Sequence, residues 1–469
     1  MRLLIAVAAA AAAAAPTEDD AAAATCLVSP NATCDADAPC GARAYSRSCL
    51  RLRVPWQTPY ERVRCCLRCC LLHWVGALGL RDNFDRNKIP GARPDEMLLG
   101  FGLESTMGFA ALRKPLDATG GADGLNRADL WAPEVAAPGG VAAWRASSWV
   151  DVAFGDGCGG FAGYSFGTAR RRHLEQLVTI LNGQTLALVS TDDCDAPDSP
   201  AADRVLRHPN LAAWFVSNPK TSSNASKLRA FPIGARTRKT FVAALERAEA
   251  ANEARRSLLM CCCMAALPPP GADPRAYPGL AAPASFNGMK PDVRAKLTND
   301  TLLLGSGPDG LAALQKSVHA SVAQVLKRVR RTAVVDALKR SGFEGCSYGA
   351  QRSKRGEERD AHADYVSQMR RAKFVASPQG NGRACHRDWE VLAAGAVPLV
   401  DWDASIHMAR LYDGLPVVRV RDWRAVTPAA LEAEWRRLDG RRDDLDVAKL
   451  YLPYWLAELT AHAFPGEAG

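Results

Sequence analysis

Apolar and polar positions fall into two alternating registers along most of the chain, and the pattern sharpens after residue 170. Helical spacing marks 173–181 and 239–251, while short apolar runs bounded by polar turns mark strands at 185–190, 211–217 and 227–232. The run SLLMCCCMA at 257–265 is continuously apolar, which suits a strand buried on both faces, with its three cysteines as core filler. A proline-rich stretch at 268–283 reads as a connector. Helical patterns follow at 311–330 and 332–341, then a charged loop at 352–360. In the last third the elements alternate. Helices at 361–371, 385–394, 405–412 and 428–438 interleave with strands at 373–377, 397–400 and 416–420. Strand and helix alternating at that interval predict an α/β protein with doubly wound parallel sheets.

The front of the chain is less regular. Residues 25–60 are loop-rich, and 80–165 carry many Gly, Pro and Trp residues with weak periodicity. Between them, 61–73 has helical spacing and holds Cys65, Cys66, Cys69 and Cys70. Four cysteines within two helical turns are poorly spaced for a tetrahedral zinc site, since Cys66 and Cys70 share a face and Cys65 points elsewhere. Disulfides or buried thiols are expected there, with a metal site or lipidation as lesser alternatives. Cys26, Cys34, Cys40 and Cys49 read as a small disulfide-stapled region, and an odd total of 15 cysteines leaves at least one without an intramolecular partner.

Composition narrows the class. With 469 residues, 48% hydrophobic and 23% charged, the chain has room for two or three domains and a sizeable core. The net charge of +9 is spread among acidic residues, and the basic runs at 170–172 and 327–331 are short. They read as solvated helix faces, and no nucleic-acid partner is expected. A minimal positive start, an apolar stretch at 3–15 and small residues at 13–15 make 1–24 a signal peptide or short anchor. That stretch is shorter than the ~20 residues a bilayer-spanning helix needs. Membrane association is therefore expected only if the segment stays uncleaved. Sequons at Asn31, Asn224 and Asn299 agree with the secretory pathway, in the ER or Golgi lumen or beyond it.

The chemistry concentrates in FVASPQGNGRACHRDWEVLAAGAVPLV, residues 374–400. A strand ends at Ser377, and Gly380, Asn381 and Gly382 form a turn that lets a ligand approach the backbone. The helix that opens there offers free N–H groups and a positive dipole end. Arg383, Arg387 and Glu390 stand at i, i+4 and i+7 with His386 beside them, so one helix face is expected to carry all four. At the helical rise, Arg383 and Glu390 lie about 10 Å apart, near the span of a pyrophosphate and a ribose. Arginines pair with phosphates, and a carboxylate accepts from ribose hydroxyls. Trp389, Leu392 and Ala393 would pack on the sheet. The competing reading is an Arg387–Glu390 ion pair on a solvated helix. The combined pattern favours a nucleotide-diphosphate site.

The run from Tyr365 through Met369, the 372–382 strand and turn, Arg387, Glu390, the 395–400 strand, Leu411 and Asp422 resembles the C-terminal half of exostosin-like glycosyltransferases, a GT-B group. The likeness extends more loosely over 185–440. It implies an α/β fold of two Rossmann-like lobes behind a Cys-rich stem: stem at 25–80, acceptor-side lobe at 81–255 and nucleotide-sugar lobe at 256–465. It also implies a UDP- or GDP-sugar donor, a glycan or glycoprotein acceptor, inversion, and no required metal or other cofactor. By resemblance Arg387 would hold the diphosphate and Glu390 the ribose. Ser377, Gly380, Asn381, Gly382, Arg383 and His386 complete the expected donor site. Arg383 and Ala384 depart from the small or acidic residues common in the group.

The loop after 185–190 holds Asp193, Cys194 and Asp195. A carboxylate from this half can deprotonate an acceptor hydroxyl, and Asp193 is the candidate base, with Asp195 and His208 as alternatives. Asp-x-Asp after a strand also suits Mn²⁺ or Mg²⁺ in a metal-dependent GT-A transferase, the main rival reading. A non-catalytic sugar- or nucleotide-binding protein is the other. A Rossmann dehydrogenase or methyltransferase is disfavoured, because no strand–GxGxxG–helix precedes a suitably spaced ribose-binding acid.

Overall fold

The computed structural model describes residues 53–60, 63, 149–151, 186–190, 200–216, 219, 226–235, 238–250, 256–261, 299–305, 323–343, 358–380, 383–403 and 405–463. Eight strands among them form two four-stranded, wholly parallel sheets. The first runs β1 (Trp149–Asp151), β2 (Leu186–Ser190), β3 (Leu211–Val216) and β4 (Leu228–Ala230). The second runs β5 (Leu258–Cys261), β6 (Ala372–Ser377), β7 (Val397–Asp401) and β8 (Val418–Val420). The α/β expectation with parallel sheets holds. Each sheet adds its strands in one spatial direction, so no reversal of strand order creates a crevice among the described strands.

Nine α-helices are described: α1 (Pro200–Arg207), α2 (Arg238–Ala250), α3 (Asp300–Leu304), α4 (Ala323–Arg340), α5 (Glu358–Arg371), α6 (His386–Ala393), α7 (Ile406–Tyr412), α8 (Pro428–Asp439) and α9 (Leu452–Ala463). Two boundaries differ from expectation. α4 runs unbroken where two helices were expected to meet near 331, because Arg330, Arg331 and Thr332 continue its turns rather than breaking them. The loop expected at 352–360 is already helical from Glu358.

The interior of the second sheet follows its sequence. β6 and β7 are central and buried along nearly their whole length, whereas β5 is an edge strand with Leu258 and Leu259 half-buried. The expectation of a strand buried on both faces therefore fails for the start of β5, since an edge position leaves one side uncovered. Cys261 is buried and disulfide-bonded, not free core filler.

Long-range ties join the sheets. α2 packs along α5, with Arg370 paired to Glu249 at 3.3 Å. The last helix, α9, returns to the first sheet, where Trp455 meets Phe231 at 4.9 Å and His462 meets Phe215 at 5.4 Å, both edge-on. Val54 and Trp56, within the stretch expected to be a stem, are buried against the second half. Val54 N–H donates to Asp446, and Trp56 stands edge-on to Trp435 at 5.6 Å. Buried residues of both sheets belong to one connected apolar cluster.

One arginine fixes two helix ends at once. The Arg256 guanidinium donates to the carbonyls of Met369, Arg370 and Ala372 at the end of α5 and to Ala394 at the end of α6. Those carbonyls have no intrahelical partner, and a cation suits the negative ends of both helix dipoles. Gly395 makes room: its φ is +77°, and a Cβ there would lie 2.5 Å from Arg256 Nη2. Gly395→Ala is expected to cost about 2–4 kcal/mol in urea unfolding, from left-handed strain plus displacement of the guanidinium. An unchanged midpoint would disprove this linkage.

Candidate functional site

The turn after β6 is built from below by one carboxylate. Asp401, at the end of neighbouring β7, accepts the Gln379 N–H at 2.6 Å, the Trp423 indole N–H at 2.8 Å and both terminal nitrogens of Arg330. Burial alone would raise its pKa; the Arg330 charge and these donors outweigh that and hold the carboxyl below its ordinary value. The turn is thereby anchored to β7 through its own backbone.

The helix that follows is anchored by a second carboxylate. Asp388, in the first turn of α6, accepts the Cys385 N–H at 2.8 Å and the Tyr412 hydroxyl at 2.7 Å, and Ser377 also donates to it. This caps the helix at Cys385. Burial pushes the Asp388 pKa up to about 6 against the three hydrogen bonds that oppose it. A folded-state pKa above the unfolded value of 3.8 means that the contribution is most favourable below pH 4 and is lost as pH rises through 6. Relative to Asp388→Asn, the wild type should gain about 2 kcal/mol of stability between pH 7.5 and 4. A difference between the two proteins that does not change with pH would contradict the assignment.

The expected site residues are placed as follows. Arg383 precedes α6 instead of lying on it, because the Asp388 cap starts the helix at His386. The expected shared face is therefore corrected: Arg383 pairs with Asp403 at 3.3 Å and donates to the Pro219 carbonyl at 3.1 Å. His386 places Nδ1 2.8 Å from the Gly234 carbonyl. Ser377 is buried, its hydroxyl directed to Asp388 and into the fold. Trp389 and Leu392 are buried as expected, with Trp389 stacked on Tyr412 at 6.3 Å. Asn381, Gly382, Asp193 and Asp195 lie outside the described residues. His208 sits at the end of α1, where its carbonyl accepts from Lys227 at 2.6 Å.

Pro219 follows β3 and Gly234 follows β4, so the carboxyl ends of the first sheet meet the turn at the carboxyl end of β6. A small recess of about 10 Å³ adjoins the turn, lined by Gln379, Arg383, Trp402, Asp403 and Arg419 among others.

The chemistry of the turn lies in two arginines. Arg387 Nε and Nη1 and Arg331 Nε are buried and have no hydrogen-bond partner among the described residues. Burial would lower the Arg387 pKa, but neighbouring Tyr365, Cys385 and Glu390 outweigh it and raise it, so the Arg387 and Glu390 charges meet in the interior and not on a solvated helix face. Glu390 is 6% exposed and accepts the Tyr365 hydroxyl at 2.9 Å. Arg331 Nη2 lies so close under Gly380 that a Cβ there would stand 3.3 Å from it, and 3.1 Å from the Cys385 sulfur. Burial first, then the neighbouring Arg387 and Arg330 charges, lower the Arg331 pKa to about 10. Two like charges with orphaned donors thus lie buried beneath the glycine turn, an arrangement that a bound anion would relieve. Cys385, the free thiol under the same glycine, is pushed up to about 12 by burial and by Asp388, so it stays protonated and unreactive.

Arg331 was read from sequence as part of a solvated basic face, and that reading is overturned: Arg330 is 1% exposed and Arg331 partly buried. A signal was present. Arg330 and Arg331 share a helical stripe with Val334, Val335 and Leu338, all buried. Among the described residues no cluster of three His, Cys, Asp or Glu side chains is placed to hold a metal ion. No family model matches the chain, and no curated protein matches it significantly.

Proposed function

We propose that the protein is a secretory-pathway glycosyltransferase that moves a sugar from a UDP- or GDP-sugar to a hydroxyl of a glycan or glycoprotein. The reading takes the two sheets as facing Rossmann-like lobes, donor on the second and acceptor on the first. One observation carries it: Arg331 and Arg387 present buried, unpartnered N–H groups under a glycine turn where the strand ends of both sheets converge.

Each part has a task in that scheme. Arg387 and Arg331 grip the donor diphosphate, and Gly380 lets it approach the backbone. Glu390, steadied by Tyr365, serves the ribose end. The acceptor hydroxyl attacks the anomeric carbon in line as the nucleoside diphosphate departs, inverting the centre. Asp193 takes the hydroxyl proton, while the guanidiniums neutralise charge growing on the leaving group. In this scheme the arginines do what a divalent ion does in metal-dependent transferases.

The test is turnover of a UDP- and GDP-sugar panel, with and without EDTA, in wild type, Arg387→Ala and Asp193→Ala. Hydrolysis or transfer that survives EDTA and falls at least ~10²-fold in Arg387→Ala is expected. Nucleotide binding without turnover of any donor would favour a non-catalytic binding protein. Loss with EDTA would favour the Asp193–Asp195 metal scheme.

A further inference from the structure

A cavity of about 120 Å³ lies away from the glycine turn, between the edge of the first sheet and helix α7. Phe215 of β3 and Leu228, Arg229 and Ala230 of β4 form one side, and Arg410 and Leu411 of α7 the other. Tyr454, Trp455 and Glu458 of α9 close it. The aromatic wall is rigid: the Trp455 indole donates to the Lys449 carbonyl at 2.8 Å and stands edge-on to Tyr454 at 5.2 Å.

Three cations line the space, and one of them is already used. Lys449 donates to the carbonyls of Arg410 at 2.9 Å and Asp413 at 2.7 Å, so its charge serves the end of α7. Arg229 gives one terminal nitrogen to the carbonyls of Ser226 and Leu228, so its other donors remain, together with the exposed Arg410. Neither forms an ion pair with a described carboxylate, although Glu458 lines the same space. Burial, and then the Arg410 charge, lower the Arg229 pKa, and the smaller opposing pull of Glu458 does not offset them. Facing cations beside a fixed aromatic wall match a ligand that carries a negative group on a ring.

We infer that this cavity is a second binding site, for a small ring-bearing carboxylate whose ring lies against Tyr454 and Trp455 and whose anion bridges Arg229 and Arg410. The carboxylate answers two like charges, and Glu458 can accept from a ligand hydroxyl. The aromatic wall suits either an aromatic ring or the apolar face of a sugar ring. A ligand here touches β4 of one sheet and α7 of the other. The inference is independent of the donor reading.

Saturation-transfer NMR on the full chain tests it with benzoate and glucuronate, set against the neutral rings benzyl alcohol and glucose. At least one carboxylate should bind at least ~10-fold more tightly than its neutral counterpart, and the stronger of the two identifies the kind of ring. Arg410→Gln, at an exposed position that the fold does not depend on, should weaken that binding ~10-fold and leave UDP affinity unchanged. Arg229→Gln should do the same. Equal binding of charged and neutral rings, binding of neither carboxylate, or binding that survives both substitutions would overturn the site. Loss of UDP binding in wild type would strike the donor reading alone.

Discussion

Arg330→Met is expected to destabilise the protein by about 3–5 kcal/mol, because it leaves the Asp401 carboxylate buried without its counter-charge. The side chains of the pair are 1% and 6% exposed, so water cannot replace the lost partner. The same carboxylate holds Gln379 N–H and the Trp423 indole, so the damage reaches the glycine turn. Domains of ordinary stability have about 5–15 kcal/mol in total, so this one change would remove a large fraction. Arg330→Met with Asp401→Asn should recover part of the loss: no charge is stranded, but the single amide oxygen can accept from only one of Gln379 and Trp423, which use different oxygens of the carboxylate. Urea unfolding of the two variants checks this. A double variant no better than the single one would show that the pair acts through shape, not charge.

The second large effect has the opposite sign for stability. Arg331→Met and Arg387→Met should each weaken UDP or GDP binding by ~10²-fold or more, since each removes a desolvated donor from a doubly charged group. Without ligand, Arg331→Met should unfold no more easily than wild type and should be more stable by ~1 kcal/mol, whereas Arg387→Met should lose stability, because it takes a charge from beside buried Glu390. Arg331→Met removes a buried guanidinium that repels its neighbour, and a thioether of similar length fills the space. Residues that only support the fold do not behave this way. Arg330 and Arg331, adjacent on α4, are thus expected to separate cleanly, one destabilising and the other not.

That pair also shows what the sequence could and could not reveal. The strand–turn–helix–strand order of 372–401 was readable because buried β6 and β7 are continuously apolar and the glycines punctuate them. Arg387 and Glu390 were readable from their spacing on α6. The bearing of Arg383 was not, since it depended on where the Asp388 cap begins the helix and on Asp403, twenty residues away. Arg331 comes from a helix more than forty residues upstream of the turn. A run of basic residues looks solvated unless its phase against Val334, Val335 and Leu338 is followed. Ser377 looked like a ligand because it ends a strand at the turn. Its role as an Asp388 donor depends on Tyr412 and Cys385 completing the same carboxylate.

Calorimetric titration of UDP and GDP into wild type, Arg331→Met and Arg387→Met, each paired with its unfolding curve without ligand, bears most directly on the arginine pair as an anion grip. A nucleotide diphosphate that binds wild type and loses at least ~10²-fold in both variants, with the ligand-free stability of Arg331→Met intact or raised, is the expected result. Affinity unchanged in both variants, or lost only in step with unfolding, would show that the two guanidiniums are packing and not a ligand site.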